Sequence, residues 1–555
     1  MSNRITITCS NTLSRFEVEA GSTLSQVAEQ MAIKGEYPVI AGYVNNRLRE
    51  LKMPLYESCE VRFVDRSSFC GARVYERTVS FVMQKAVEDI FPDFHLRIRH
   101  SIGGNGFYCE IEGVELTPAH VESIESRMQE IVEFDIPISR LKLPTDEIRG
   151  IYAEHEYFDK VELLDTRPRL YSTIYQIDQT YGYFYGSLAP SSGYVDLFRV
   201  RPYYNGILLS LPQRDKPSLI GSPFRQEKLF DIFREYQSWS KIMGVPTVGK
   251  LNTKVLEGDS SELIKIAEAF HEKKFSKVAD AIAEKVDEGV KMILISGPSS
   301  SGKTTSAKRL GIHLQVLGLD PVLISLDDYF VNREDTPKDK NGEYDFEALE
   351  AIDIAQFNDH LQRLCAGETI AVPRYDFISG TRKWHDNPLT LSDKSVLIIE
   401  GIHALNPALT PAIEEALKFK IYVSCLTSVA MDNLSRISTS DNRLLRRLTR
   451  DYTQRGADGI ATLARWGSVR RGEERHIFPY QEQADVIINS SLFYEISVIR
   501  SFVEPILHEV PNTVPEYDQA RRLLRFLDNF APISPHEIPP TSVLREFIGG
   551  SSFKY

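Results

Sequence analysis

Gly297, Gly302, Lys303 and Thr304 stand at the spacing G-x-x-x-x-G-K-T inside KMILISGPSSSGKTTSAKRLGIHLQVLG. That pattern can hold a phosphate chain. The two glycines let backbone amides turn toward the anion, and a helix beginning at the lysine adds positive potential. Ser299, Ser300, Ser301 and Thr305 complete the loop. In such a loop Lys303 bridges β- and γ-phosphates and the Thr304 hydroxyl ligates Mg²⁺. The bare spacing recurs by chance in long chains, so the flanks decide. MILIS reads as a buried strand, and TTSAKRLGIHLQVL as a helix with Leu310, Leu314 and Leu317 on one face.

Two acids complete a candidate centre. PVLISLDDYF is a second strand of buried type that runs into Asp327, and SVLIIEGIHAL is a third, ending in Glu400. The carboxyl ends of strands in an open α/β sheet border the crevice where ligands bind. There one acid can take the proton of an attacking hydroxyl, and both can hold Mg²⁺ directly or through water. Between Arg443 and Arg475 lie nine arginines (443, 446, 447, 450, 455, 465, 470, 471 and 475) against four acids, Asp451, Asp458, Glu473 and Glu474. An island of that kind calls for an anionic partner or a large hydrated face. Phosphoryl transfer uses such charge, because its catalysis is mostly positioning and neutralisation of the phosphates.

An ordered set of segments lies between residues 291 and 489: GPSSSGKTT, ISLDDYF, EYDFEALEAID, VPRYDFISGTRK, IIEGIHAL, DNRLLRRLTRDYTQRG and ADVIIN. Together they resemble the uridine kinases, relatives of phosphoribulokinase and bacterial pantothenate kinase. The resemblance implies a P-loop kinase with a parallel sheet flanked by helices, using ATP or GTP with Mg²⁺ to phosphorylate a nucleoside 5′-hydroxyl. It implies Asp327 as general base, and Thr304, Asp327 and Glu400 as Mg²⁺ positions. Asp345 falls on the ribose contact, Tyr375 and Phe377 on the aromatic wall around the base. Arg447, Arg450 and Arg455 fall on lid arginines over the triphosphate; Arg443 and Arg446 are evenly divided between that role and a solvated helix face. Two positions depart from the pattern. Gly380 stands where pyrimidine-specific members carry a base-reading histidine, and Ala457 where a further lid arginine is frequent. The base is therefore open, a different metabolite alcohol is a rival acceptor, and an RNA- or ribosome-associated nucleotide-binding regulator is a rival role.

Positioning this centre takes only part of a chain of 555 residues, long enough for roughly three or four domains. The pattern divides it into 1–66, 67–215, a helical connector 216–288, the kinase-like unit 289–500, and a helix with tail at 501–555. Residues 223–288 read as two helices joined by VPTVGKLNT, and 151–212 as a tyrosine-rich, strand-forming stretch. The hydrophobic share of 42% and charged share of 26% are ordinary for a globular chain. No apolar run reaches the roughly 18 residues of a membrane helix, and the N-terminus lacks a signal-peptide core. The six cysteines are scattered without a C-x-x-C pair, so neither a disulfide framework nor a cysteine zinc site is expected, and cytoplasm is the default.

Residues 1–66, with the order strand, strand, helix, strand, strand, resemble the β-grasp TGS module of threonyl-tRNA synthetases. The block through about residue 212 resembles that synthetase's editing domain by GFYCEIEG, VESIESRMQEIVE, LPTDEIRGIYAEHEYFDKVELL and APSSG. The four metal-ligand positions of that domain fall on Arg77, Phe81, Phe184 and Leu188, none of them a ligand. Editing hydrolysis is not expected. Tyrosines such as Tyr171, Tyr175, Tyr183, Tyr185 and Tyr204 could stack RNA bases. A tyrosine-lined core or interface is the favoured reading, and the net charge of −12 also disfavours RNA. No membrane partner is expected, and homo-oligomerisation is left open.

Overall fold

The computed structural model describes residues 4–103, 105–222, 225–339 and 342–555. The first unit is a five-stranded sheet of β1 (Arg4–Cys9), β2 (Ser14–Glu19), β3 (Ala41–Val44), β4 (Arg47–Arg49) and β5 (Cys59–Val64). Its order is β2-β1-β5-β3-β4, with β1 and β5 parallel, and helix α1 (Leu24–Gln30) crosses it as in a β-grasp. Thr23 and Gln26 form a reciprocal capping box that fixes where α1 starts. Strand β4 was not read from the sequence, since its three residues, RLR, carry no period.

Next comes the long helix α2 (Phe69–Ile90), then β6 (Leu96–Ile102), β7 (Gly106–Ile111), α3 (Pro118–Glu133) and β8 (Ile138–Pro144). Thr117 caps α3 and Pro118 occupies its first turn, where a missing N–H costs nothing. Two helices, α4 (Thr145–Glu154) and α5 (Phe158–Asp165), precede β9 (Tyr171–Ile177), β10 (Thr180–Gly182), β11 (Arg199–Tyr203) and β12 (Gly206–Ser210). The start of the tyrosine-rich stretch is thus helical rather than extended. The strands form two sheets, β11-β12-β7-β6 and β10-β9-β8. Tyr175 and Tyr183 are buried; Tyr183 donates to Asn529 (2.8 Å), and Tyr185 packs on Phe526. These rings serve core and interface.

Helices α6 (Glu227–Ile242), α7 (Val248–Leu256) and α8 (Ser260–Asp287) follow. The expected linker between two helices is itself α7. Thr247 caps it, and Gly249, which looks like a breaker, instead lets the helix lie against Glu162 and Leu163 of α5. None of the three is a free connector. Phe275 and Ile282 of α8 cover one face of the parallel sheet that follows, while Leu229 and Phe233 of α6 join the other.

That sheet comprises β13 (Met292–Ser296), β14 (Asp320–Ser325), β17 (Ser395–Glu400), β18 (Lys418–Ser424) and β19 (Val486–Asn489), all parallel in the order β14-β17-β13-β18-β19. Between them lie α9 (Lys303–Val316), α10 (Ile354–Cys365) and a hairpin of β15 (Ile370–Asp376) and β16 (Thr381–Leu389). Every residue of β13 and β17 is buried, as the central strands of a covered parallel sheet require. Strand β14 is the edge; Leu323 is 38% exposed, so it is not the buried strand its composition suggests. Leu310 and Leu314 are buried under α9, but Leu317 caps the helix and is exposed.

The lid segment forms α11 (Thr439–Gln454) and α12 (Gly459–His476), and the chain closes with α13 (Glu495–His508), α14 (Tyr517–Leu527) and the short α15 (Arg545–Ile548). Helix α13 runs unbroken through residue 500, the boundary expected from the sequence pattern. No described helix is long and apolar enough to cross a membrane.

Candidate active site

The phosphate loop joins β13 to α9. A Cβ on Gly297 would lie 2.0 Å from the Val423 carbonyl oxygen, and Gly302 sits at φ +81°, so glycine is required at both. The hydroxyls of Ser300 and Ser301 are buried and have no hydrogen-bond partner among the described residues. Orphaned donors beside the N-terminus of a helix suit a bound phosphate.

Ser299 is held from three sides. Its N–H donates to Glu473 (3.0 Å), its carbonyl accepts from Arg443 (3.0 Å), and its hydroxyl accepts from Arg447 (2.9 Å). Arg443 and Glu473 form a buried pair, as do Arg446 and Glu495. Arg443 and Arg446 therefore lie on neither of the faces weighed for them. They are interior braces, and Arg446 fastens to the backbone of Ser490 (2.9 Å).

The acids gather as their strand-end positions require. Thr304 donates to Glu400 (3.1 Å), and so does Ser325 (2.9 Å). Burial, then the neighbouring Asp327 charge, pushes the Glu400 carboxyl up to about 7. Lys303 is lowered by its own burial, against the pull of Glu400 and Asp327. Both acids thus act on the lysine ammonium, and the three groups share one crevice. Two carboxylates and a hydroxyl form a hard oxygen set of the kind Mg²⁺ takes alongside phosphate oxygens, so the residues present fit that ion.

Beside this crevice is an aromatic wall. Tyr375 and Phe377 have centroids 5.2 Å apart, and Phe330 backs them at 5.5 and 6.3 Å. Asp328 accepts the Tyr375 N–H (3.2 Å), tying the hairpin to the residue after Asp327. The Arg455 guanidinium lies over Phe377 at 5.0 Å and is lowered to about 10, first by the Arg450 charge and then by burial. It stands at the aromatic wall, where the Asp327 charge also acts on it. Arg447 reaches the loop, and Arg450 lies against Asp451 and, at 4.0 Å, Glu546. Asp345 accepts the Glu347 N–H (3.3 Å), in a segment whose Glu347 is raised to about 7 by burial despite the Arg447 charge.

Several contributors carry no local signal in the sequence. Gly380 has φ +71°, and a Cβ there would lie 2.7 Å from Arg333 Nε; Arg333 also donates to the Phe377 carbonyl (2.9 Å). The Arg333 guanidinium thus packs against the Gly380 turn. More remote is the C-terminal strap. Glu546 accepts from the Thr305 hydroxyl (2.6 Å) and N–H (3.3 Å), and the Tyr555 hydroxyl lies 2.8 Å from the same Thr305 oxygen. Val543 meets Gly302, and Phe547 lies under Arg446 at 4.9 Å. Only the three-dimensional fold brings residues 241 positions apart together.

A model of the phosphoribulokinase/uridine kinase family matches residues 292–497. The uridine kinase of Staphylococcus aureus (strain JH9) is 31% identical over 198 residues, covering 36% of this chain and 86% of that enzyme. This chain belongs to the phosphoribulokinase/uridine kinase family. Its family unit is the sheet and lid described above. The N-terminal region matches other proteins: the threonine–tRNA ligase of Desulforamulus reducens is 29% identical over 153 residues, 27% of this chain and 24% of the ligase. The chain spans about a quarter of the length of that relative. Among solved structures, a possible uridine kinase from Bacillus stearothermophilus is similar at 20% identity and TM-score 0.27, over 38% of this chain and 97% of that one.

In the N-terminal region, the positions compared with the editing metal set do converge. Phe81 and Phe184 meet edge to face at 5.4 Å, Leu188 is buried with them, and Arg77 donates twice to the Ser187 carbonyl (2.9 and 2.8 Å). An apolar plug and a guanidinium occupy that cleft.

Proposed function

We propose that this chain is an ATP- or GTP-dependent, Mg²⁺-requiring kinase whose acceptor is a small alcohol, in the first place a nucleoside. The reading rests on one observation: Lys303, Thr304, Asp327 and Glu400 share a crevice with the Tyr375–Phe377 wall beside it. The acceptor lies against the wall with Asp345 toward its sugar, and its hydroxyl reaches Asp327. Asp327 takes the hydroxyl proton as the oxygen bonds to the γ-phosphorus and the bond to the bridging oxygen of the nucleoside diphosphate breaks. Thr304 and Glu400, with Asp327 adjacent, would hold Mg²⁺, which would supply charge neutralisation on the phosphates. Lys303, Arg447 and Arg450 stabilise the charge that develops on the transferred group.

The test is ADP release across nucleosides and sugar alcohols, with Asp327→Asn as the control. That variant should bind nucleotide normally and lose about 10²–10⁴-fold in turnover, the range for a positioned base. Near-normal turnover would remove Asp327 from the role. One observation favours a second reading, a non-nucleoside alcohol: Arg333 presents a charged fork at the Gly380 turn in place of a neutral imidazole. An acceptor screen in which sugar alcohols outrun every nucleoside selects that reading.

A further inference from the structure

A second charged cavity lies between the N-terminal half and the lid helix, away from the phosphate loop. Arg73 and Arg77 sit one turn apart on α2 and face the same way. They meet Arg214, Arg436 and Arg522 around a space of about 100 Å³ that also touches Glu76, Asp441 and Tyr185. Five guanidiniums face two carboxylates. Arg522 donates twice to Asp441 (2.7 and 2.9 Å), Arg73 once (3.0 Å), and Arg214 pairs with Glu76 (3.3 Å). Those pairs use both acids. Among the described residues the Arg77 side chain donates only to a neutral carbonyl, and Arg436 stacks on Phe107 at 4.8 Å and donates no hydrogen bond.

Arg77 and Arg436 are half-buried, and charge partly withdrawn from water is costly unless an ion of opposite sign joins it. Burial lowers Arg77 to about 10 and also lowers Arg436, which registers that cost. A space of about 100 Å³ takes roughly three waters at about 30 Å³ each, room for one phosphate group but not for a nucleotide.

Arg436 also lines a larger neighbouring cavity of about 380 Å³. Two buried oxygens on the wall of that cavity lack any partner among the described residues, Thr427 Oγ1 and Asp432 Oδ2. Asp432 is fully buried beside the Lys160 ammonium, and its Oδ2 still lacks a hydrogen-bond donor among the described residues. Of the other acids on that wall, Asp159 accepts the Asn433 N–H (2.7 Å) and Glu162 pairs with Lys250, while Asp93 and Glu156 have no ion pair among the described residues.

We propose that these adjoining cavities, which share Ile98 and Arg436 on their walls, bind a phosphorylated polyhydroxy compound, with its phosphate against Arg436, Arg77 and Tyr185 and its hydroxyls on Asp432 and Thr427. This assignment is independent of the acceptor proposed above. Segment 427–436 leads directly into α11, which carries Arg447 and Arg450, so the ligand lies at the root of the lid.

Calorimetric titration of the full-length chain tests it, using inorganic phosphate, ribose 5-phosphate, glucose 6-phosphate and unphosphorylated ribose at matched ionic strength. The background is Lys303→Ala, which weakens phosphate binding at the loop. Expected is saturable binding of the sugar phosphates, tighter than that of inorganic phosphate, with none for ribose. Arg436→Gln should weaken all phosphate ligands at least tenfold. Asp432→Asn should erase only the advantage of the sugar phosphates. If R436Q does not fold, Tyr185→Phe, which changes no charge, should weaken phosphate binding severalfold. Binding of inorganic phosphate with no gain from the sugar overturns the polyol assignment. Absence of binding, or binding unchanged in R436Q and Y185F, overturns the site.

Discussion

Glu546 occupies a donor that a triphosphate needs, and its replacement offers a quantitative test. The Thr305 amide is the third of α9, one of the few left unpaired at a helix start and so available to an anion. Here it points at the Glu546 carboxylate, which also takes the Thr305 hydroxyl. Nucleotide and strap therefore compete, and apparent affinity falls by the fraction of molecules whose strap is docked. Glu546→Gln keeps the shape but removes charge from both bonds. Hydrogen bonds to charged groups contribute about 1.5–3 kcal/mol. A loss of about 2 kcal/mol in the strap's grip should tighten Mg–ADP binding about thirtyfold, since 1.4 kcal/mol is tenfold. Calorimetry on the full chain reads this directly, with circular dichroism to verify the fold. Unchanged or weaker ADP binding would refute the reasoning and make the strap a wall of the nucleotide site rather than its competitor.

Glu400 gives a pH prediction. Its carboxyl is raised from 4.5 to about 7, so the folded chain holds that proton more tightly than the unfolded chain. The sign follows: stability from this group is full below about pH 4.5 and is lost as pH rises through 7, on the order of 3 kcal/mol at about 1.4 kcal/mol per unit. Glu400→Gln should therefore resist urea better than the parent at pH 8 while losing Mg²⁺-dependent turnover, and in the parent Mg²⁺ binding should strengthen as pH rises through the same window. Glu473→Ala strips a partner from buried Arg443 and from the Ser299 N–H; a loss of about 3–5 kcal/mol in chemical denaturation is expected. Arg333→Ala should alter KM for the acceptor severalfold and leave KM for the nucleotide unchanged in initial-rate kinetics.

The phosphate loop was legible because its chemistry is local: glycines, lysine and threonine lie within eight positions, between a strand and a helix whose periods are plain. Asp327 and Glu400 were legible because strand ends in a parallel sheet share one edge. The buried braces were not. Arg443 and Arg446 look like surface charge until Glu473 and Glu495 are seen beside them, and those partners come from other helices. Helix α7 was obscured by Gly249, whose missing side chain serves packing rather than a turn. Strap, Arg333 and arginine cavity depend on contacts between segments far apart in the chain, which no local pattern encodes.

The covering of the kinase sheet bears on how this chain can be cut. Family similarity begins at residue 292, yet Phe275, Val278 and Ile282 lie under β13, β17 and β18 from upstream. A fragment trimmed to the family match would bare that apolar face and lose Leu229 and Phe233 from the opposite one. Such a piece should aggregate on expression, whereas one starting ahead of Glu227 and retaining α13 and α14 keeps both faces dressed.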